Sequence, residues 1–340
     1  MKMDIMKLVW ITLVFFLVPL PVLASYPTNV DLFQVSNGSE REDNQVVYGN
    51  LILYSDGNNS SGFDIYKYNV RTKVTSPVLL KPGQQFLNDY DGKNVLYTEY
   101  EGDLDPANPY DVRVYDTRSG EDILVAGGPG TQMGGEIEDG KVVYLDGYGA
   151  GDLYVYDLRK KTSQFIDHNA SVPRMSNGRV TWYSGTDIKL YDLRRGNFVD
   201  IPNPEGAARS TPQIYKNSLI YYYEKSGVAS IHLYDLNKGT EKTLLETTAY
   251  TVNWPSVSRQ YAVWSKETAP GVGGVEGLNL RTGEVFEVYP QGNQQNSIMP
   301  PTIDNDLVAF MSWRTGNGDI YGALLRHRIP PHTTPFGLEY

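Results

Sequence analysis

One phrase repeated along the chain constrains the fold more than any other feature. Its clearest copy reads Asp187-Ile188-Lys189-Leu190-Tyr191-Asp192, ahead of a turn at Gly196. It returns at Asp64–Asn69, Asp111–Asp116, Asp152–Asp157 and Ser230–Asp235, in worn form at Gly274–Asn279, and truncated at Asp319–Tyr321. The first residues of successive copies are 47, 41, 35, 43, 44 and 45 positions apart. Short strands recurring with a period of roughly 45 residues mark a β-propeller. The expected fold is therefore all-β, with seven blades of four antiparallel strands each.

Each period carries a second strong strand that ends in an aromatic: Ile52–Tyr54, Val95–Tyr97, Val142–Tyr144, Val180–Trp182, Leu219–Tyr221, Ala262–Trp264 and Val308–Phe310. β-branched and aromatic residues in this density suit strands packed between stacked sheets. Several are entered through tight-turn pairs, Asp91-Gly92, Asp139-Gly140 and Asn177-Gly178, which supply the positive φ that two-residue hairpins need. Short upstream strands open on proline at Pro173-Arg174-Met175, Pro212-Gln213-Ile214, Pro255-Ser256-Val257 and Pro301-Thr302-Ile303, one of the few strand positions where proline is tolerated. The Asp that starts each D-I-x-x-Y-D strand can accept backbone N–H groups and pin a turn. Because it is copied from blade to blade, it reads as structural and not catalytic.

The ends of the array bear on closure. The seventh copy stops at Leu325-Arg326 without a fourth strand, while Val30–Val35 reads as a strand with no blade of its own. Pairing the two would complete the last blade and remove an exposed edge. Residues 25–328 are then the propeller, and residues 329–340, with Pro330, Pro331 and Pro335, form a tail.

The first 24 residues read as a secretory signal. Lys2 and Lys7 precede an apolar run from Leu8 to Val18, and Val22-Leu23-Ala24 offers small residues for cleavage. No later segment is apolar and long enough for a membrane helix. The expected location is extracytoplasmic: periplasm, cell surface or medium. A formal net charge of −10 makes nucleic acid and anionic membranes poor partners. With no cysteine in the chain, the core must hold without disulfides, and no lipid anchor is expected. A monomer is expected.

The D-I-Y-x-Y-D-L-x-x-G phrase, joined to a following P-x-I-x-x-G-x-V-V-W/Y, resembles the TolB-like β-propeller repeat of exported and surface proteins. The resemblance spans the mature chain and implies architecture and setting only. TolB itself has an additional N-terminal α/β domain that engages envelope proteins, and this chain has no room for it. Secreted propellers of similar outline include pectin-fragment lyases that use several histidines to hold a metal. Here only His168, His232, His327 and His332 exist, and no pair has zinc-protease spacing. There is no G-x-S-x-G elbow and no S-x-D-x-G-x-x-W box.

Glu99, Glu101, Asp103 and Asp105 form the densest acidic cluster, a candidate for Ca²⁺ set against the simpler reading of a solvated acidic loop. Ala107 stands where an EF-hand loop would place another oxygen ligand. No other cofactor is expected. Loops that diverge between copies carry Gln132, Arg209, Trp254 and the Trp313-Arg314 pair, the candidate ligand-binding residues. For Trp254 the competing reading is packing at a blade root. Sequons occur at Asn37, Asn58, Asn59 and Asn169. The expected function is a non-enzymatic binding or scaffold module for a protein or carbohydrate of the cell envelope. The alternative is a glycosidase or lyase with carboxylates at the central channel, and two or more converging carboxylates with shifted pKa values would favour it.

Overall fold

The computed structural model describes residues 28–59, 62–100, 110–203, 206–291 and 300–327, and over these the chain is strand and turn without a helix. It opens with β1 (Thr28–Gln34). A four-stranded sheet follows from β2 (Glu42–Tyr48), β3 (Leu51–Asn59), β4 (Gly62–Asn69) and β5 (Val74–Leu79). The next holds β6 (Gln84–Tyr90), β7 (Asn94–Tyr100), β8 (Asp111–Asp116) and β9 (Asp122–Ala126). A seven-stranded sheet runs through β10 (Gln132–Glu138), β11 (Lys141–Asp146), β12 (Gly151–Asp157), β13 (Thr162–Ser176), β14 (Arg179–Ser184), β15 (Asp187–Asp192) and β16 (Asn197–Val199). Then come β17 (Ala208–Tyr215), β18 (Ser218–Lys225), β19 (Val228–Asp235) and β20 (Thr240–Thr247). The following sheet is β21 (Thr251–Val257), β22 (Tyr261–Ala269), β23 (Val272–Asn279) and β24 (Val285–Tyr289). The last is β25 (Thr302–Asp304), β26 (Leu307–Ser312) and β27 (Asp319–His327), with β1 as its outer strand. Strand β1 pairs antiparallel with β27 from Thr28↔His327 to Gln34↔Tyr321.

The long β13 departs from the expectation of separate four-stranded units. Its first part pairs with β12 and its last part with β14, so one strand serves two neighbouring units. No loop intervenes, and this accounts for the shortest repeat step, the 35 residues from Asp152 to Asp187. The strand changes direction around Asn169 and Val172, both at positive φ.

The repeated apolar triplets are the core. In all seven copies every residue of the triplet is buried, from Ile52-Leu53-Tyr54 to Val308-Ala309-Phe310, with Thr181 taking one place. Continuous runs replace apolar–polar alternation because both faces of the second strand are covered by neighbouring sheets. The core is accordingly a set of layers between sheets. Leu96 and Val112 meet Ile137 and Val142 in one layer; Ile52 and Tyr54 meet Leu307 and Ile320 in another, joining the first complete sheet to the last.

The turn after each D-I-x-x-Y-D strand uses a left-handed residue. Gly120 and Gly196 take it as expected, and Lys73 and Lys161 take the same place in other copies at φ of 56° and 55°. What pins the turn corrects the expectation. The last Asp of the phrase does so: Asp192 Oδ1 accepts the N–H groups of Arg194 (2.9 Å) and Arg195 (3.1 Å), and Asp157 Oδ1 those of Arg159 and Lys160 (both 3.0 Å). The strand-starting Asp has no common task; Asp64 accepts the Lys81 N–H, whereas Asp152 meets the exposed His168.

Candidate functional site

The first strands of the sheets converge on one cavity of about 290 Å³. Each of these strands alternates between a side chain facing a core layer and one facing the cavity. The core-packing position is filled by Val47, Tyr90, Ile137, Met175, Ile214, Val257 and Ile303, apolar or aromatic in every copy, with Val47 and Ile303 also reaching the cavity lining. The residue before it is Val46, Asp89, Glu136, Arg174, Gln213, Ser256 and Thr302, and all seven line the cavity. Register fixes their equivalence: Val46 pairs with Leu53, Asp89 with Leu96, Arg174 with Thr181, Gln213 with Ile220, Ser256 with Val263 and Thr302 with Ala309. Glu136 directly precedes Ile137, which pairs with Val142. Packing dictates the core position, while nothing in the repeat dictates its neighbour.

The long polar side chains fall on consecutive strands. Asp89 Oδ2 accepts the Ile137 N–H at 2.8 Å, and Glu136 accepts the Met175 N–H. The Arg174 guanidinium stands 3.5 Å from Glu136 Oε1, and the Gln213 amide nitrogen also lies 3.5 Å from that oxygen. Burial pushes both carboxyls above the ordinary range; for Glu136 the Arg174 charge works against this and the Asp89 charge adds to it. Burial likewise raises Asp43, against the pull of its ion-pair partner Arg41. At the equivalent positions across from them stand the shorter Ser256, Thr302 and Val46, with Asp43, Asn44 and Gln45 beside Val46, so the cavity is lopsided in reach.

Backbone strain gathers at the same place. Asn44, Val172, Thr211 and Trp254 line the cavity with φ of 54°, 48°, 47° and 51°. Each sits at a register shift, two residues before its strand's cavity-facing side chain. For β-branched Val172 and Thr211 and for bulky Trp254 this conformation is a real cost, of a kind that collects at functional sites.

The residues nominated from sequence fare unequally. Trp254 lines the cavity. Arg209 is 1% exposed, with its guanidinium committed to Asp187 and to the carbonyls of Ile201 and Pro202. Gln132 is buried and donates to Asp146 Oδ1 at 3.0 Å. Trp313 packs against the layer between first and last sheets, under the Arg41 guanidinium at 5.8 Å. Arg314 lies over the Tyr289 ring at 4.3 Å. These side chains do not share a site. Of the acidic cluster, Glu99 is paired with Lys81 (2.6 Å) and Arg113 (3.2 Å); Glu101, Asp103 and Asp105 lie outside the described residues, as do the proposed leader and tail. Among the described residues no three His, Asp or Glu side chains group to hold a metal.

Ser230, His232 and Glu241 line a separate cleft and look like a nucleophile relay, with Ser230 Oγ 3.1 Å from His232 Nε2 and Glu241 Oε1 3.1 Å from Nδ1. Register gives another origin. His232 pairs with Tyr221 and Glu241 with Tyr234, as Arg113 pairs with Tyr97 and Asp122 with Tyr115. The relay thus occupies the place of the Arg113–Asp122 ion pair (3.2 Å), a clamp between the third and fourth strands.

Sequence reasoning missed Asp89, Glu136, Arg174 and Gln213. For Arg174 and Gln213 the signal was present in the P-x-I strands, where the middle residue changes in every copy while its neighbours hold; Asp89 and Glu136, preceded by Asn88 and Gly135, lack that mark.

Compared by sequence, the chain matches no family model and no curated protein. Its fold is similar to solved β-propellers. An oligogalacturonate lyase in complex with manganese superposes with a TM-score of 0.64 at 14% identity, over 89% of this chain and 99% of that one. The β-propeller domain of the Trilobed protease from Pyrococcus furiosus, described as having an open velcro topology, gives 0.63 at 9% identity over 88% and 100%. An oligogalacturonate lyase from Vibrio parahaemolyticus gives 0.61 at 12% over 88% and 98%. At these identities the likeness establishes the propeller fold.

Proposed function

We propose that the chain is an exported seven-bladed β-propeller, closed by β1 as the outer strand of the last blade, that acts by binding a protein or carbohydrate of the cell envelope at the mouth of its central channel. One observation carries this reading: at seven equivalent positions the core-facing residue is uniformly apolar or aromatic, while the channel-facing residue differs in every copy and is polar in six. Polar diversity that packing does not require, beside strained backbone, is what a ligand seat looks like. The packing of Ile52 and Tyr54 on Leu307 and Ile320, with the β1–β27 pairing, supports a closed ring. No helix among the described residues is long and apolar enough to cross a membrane.

The second reading is a carbohydrate-active enzyme. The specific observation in its favour is the pair Asp89 and Glu136, two carboxyls in one cavity, both held above their ordinary range by burial. Envelope peptides and glycans screened by thermal shift, followed by product analysis of any that bind, separate the two. A shift that Arg174→Ala abolishes, without product, supports the binding module. Turnover lost in Glu136→Gln supports the enzyme. No shift with any ligand, or shifts indifferent to channel substitutions, overturns the channel as the site.

A further inference from the structure

We infer that the channel cavity takes a single uncharged, hydroxyl-rich ring, a neutral sugar residue, and this rests on reading the channel as the ligand seat. A sugar hydroxyl donates and accepts at once, so a site for it needs both capacities within short reach. The cavity wall supplies them: carboxyls on Asp89 and Glu136, a guanidinium on Arg174, an amide on Gln213, and hydroxyls on Ser256 and Thr302. Between these lie Leu87, Pro212, Pro255 and Pro301, apolar surface suited to the C–H faces of a pyranose. A volume of 290 Å³ falls just under the roughly 300–1,000 Å³ typical of ligand pockets, which suits one ring better than an extended chain.

Charge disfavours ionic ligands of either sign. An anion would face Asp43, Asp89 and Glu136 on adjoining wall. A cation would have to compete with Arg174, which already stands 3.5 Å from Glu136. A neutral polyol disturbs neither arrangement and exchanges its water hydrogen bonds for protein ones.

The test is saturation-transfer NMR and titration of the full chain with methyl glucoside and N-acetylglucosamine as neutral probes, glucuronate as the anion and glucosamine as the cation. The expected result is saturation by a neutral probe only, weakened about tenfold, or ~1.4 kcal/mol, by Gln213→Ala and by Thr302→Val, with melting temperatures close to that of the parent. Thr302→Ala replaces either variant if it fails to fold. Binding of the charged probes alone, or of no sugar, overturns the inference. Neutral-sugar binding unmoved by these substitutions overturns it together with the channel reading. If a peptide binds and is lost in the same variants while sugars do not bind, the channel reading stands and the sugar falls.

Discussion

Asp89 and Glu136 occupy the same position on neighbouring strands, and each hands its carboxylate to the strand after it: Asp89 to the Ile137 N–H at 2.8 Å, Glu136 to the Met175 N–H. The pair is both a stitch between successive cavity strands and a polar stretch of the cavity wall. Its cost is the desolvation of two like charges that feel one another.

That cost gives a pH dependence with a defined sign. A carboxyl raised in the folded state holds its proton more tightly there. Its contribution to stability is complete below the unfolded value near ~4 and is lost as pH rises through the folded value. Thermal melts between pH 5 and pH 8 should show a loss of stability on going up, attributable to these two groups. Glu136→Gln keeps an acceptor for the Met175 N–H and should flatten the profile. An unchanged slope would show that the carboxyl does not titrate in this range.

Asp157 behaves in the opposite sense. Its hydrogen bond from Lys141 (2.9 Å), with the N–H groups of Lys160 and Arg159, draws its pKa down to about 2. The stability it lends is present above ~4 and disappears as pH falls from there toward 2. Asp157→Ala should cost under about 1 kcal/mol at pH 7 and less at pH 2, where the carboxylate is half protonated in the folded state. Urea titrations at the two pH values check this.

Arg209 is a structural anchor. Removing its side chain leaves the Ile201 and Pro202 carbonyls without this donor and takes the guanidinium from Asp187. Arg209→Ala should lower stability by about 2–3 kcal/mol while leaving ligand binding in the channel intact. A fall in affinity at unchanged stability would return Arg209 to the ligand-binding residues.

Val172 carries a β-branched side chain at φ 48°. Glycine adopts that conformation freely, so Val172→Gly should raise stability by about 0.5–1 kcal/mol despite the extra entropy of the unfolded chain. A measured destabilisation would mean that side-chain packing at this bulge outweighs the backbone cost.

Deleting residues 28–34 leaves β27 as an open edge. The shortened chain should melt earlier and self-associate, seen as a concentration-dependent mass by light scattering. A monomer of unchanged stability would remove β1 from the closure.

The propeller was legible in the sequence because packing between sheets forces the same answer on every copy: Trp182, Trp264 and Phe310 are aromatic because the layer needs bulk at that spot. The channel was not legible for the converse reason. Arg174 and Gln213 sit in strands recognised by their proline and their following apolar residue, and nothing local says which way the residue between them faces. Trp254, noticed as a loop aromatic, lies in the cavity lining, whereas Arg209, noticed as the end of a divergent loop, is engaged in pinning that loop. The fusion of two sheets through β13 left a trace only in the short 35-residue step.

Thr28 lies opposite His327 in the β1–β27 pair, and its N–H and hydroxyl are both held by the Glu284 carboxylate at 3.0 Å. Both ends of the described chain therefore leave the molecule at one end of the same two-strand ladder. A pull applied between them loads the ladder bond by bond, like a zipper, and not all bonds at once in shear. Glu284 is the catch on the first tooth of that zipper.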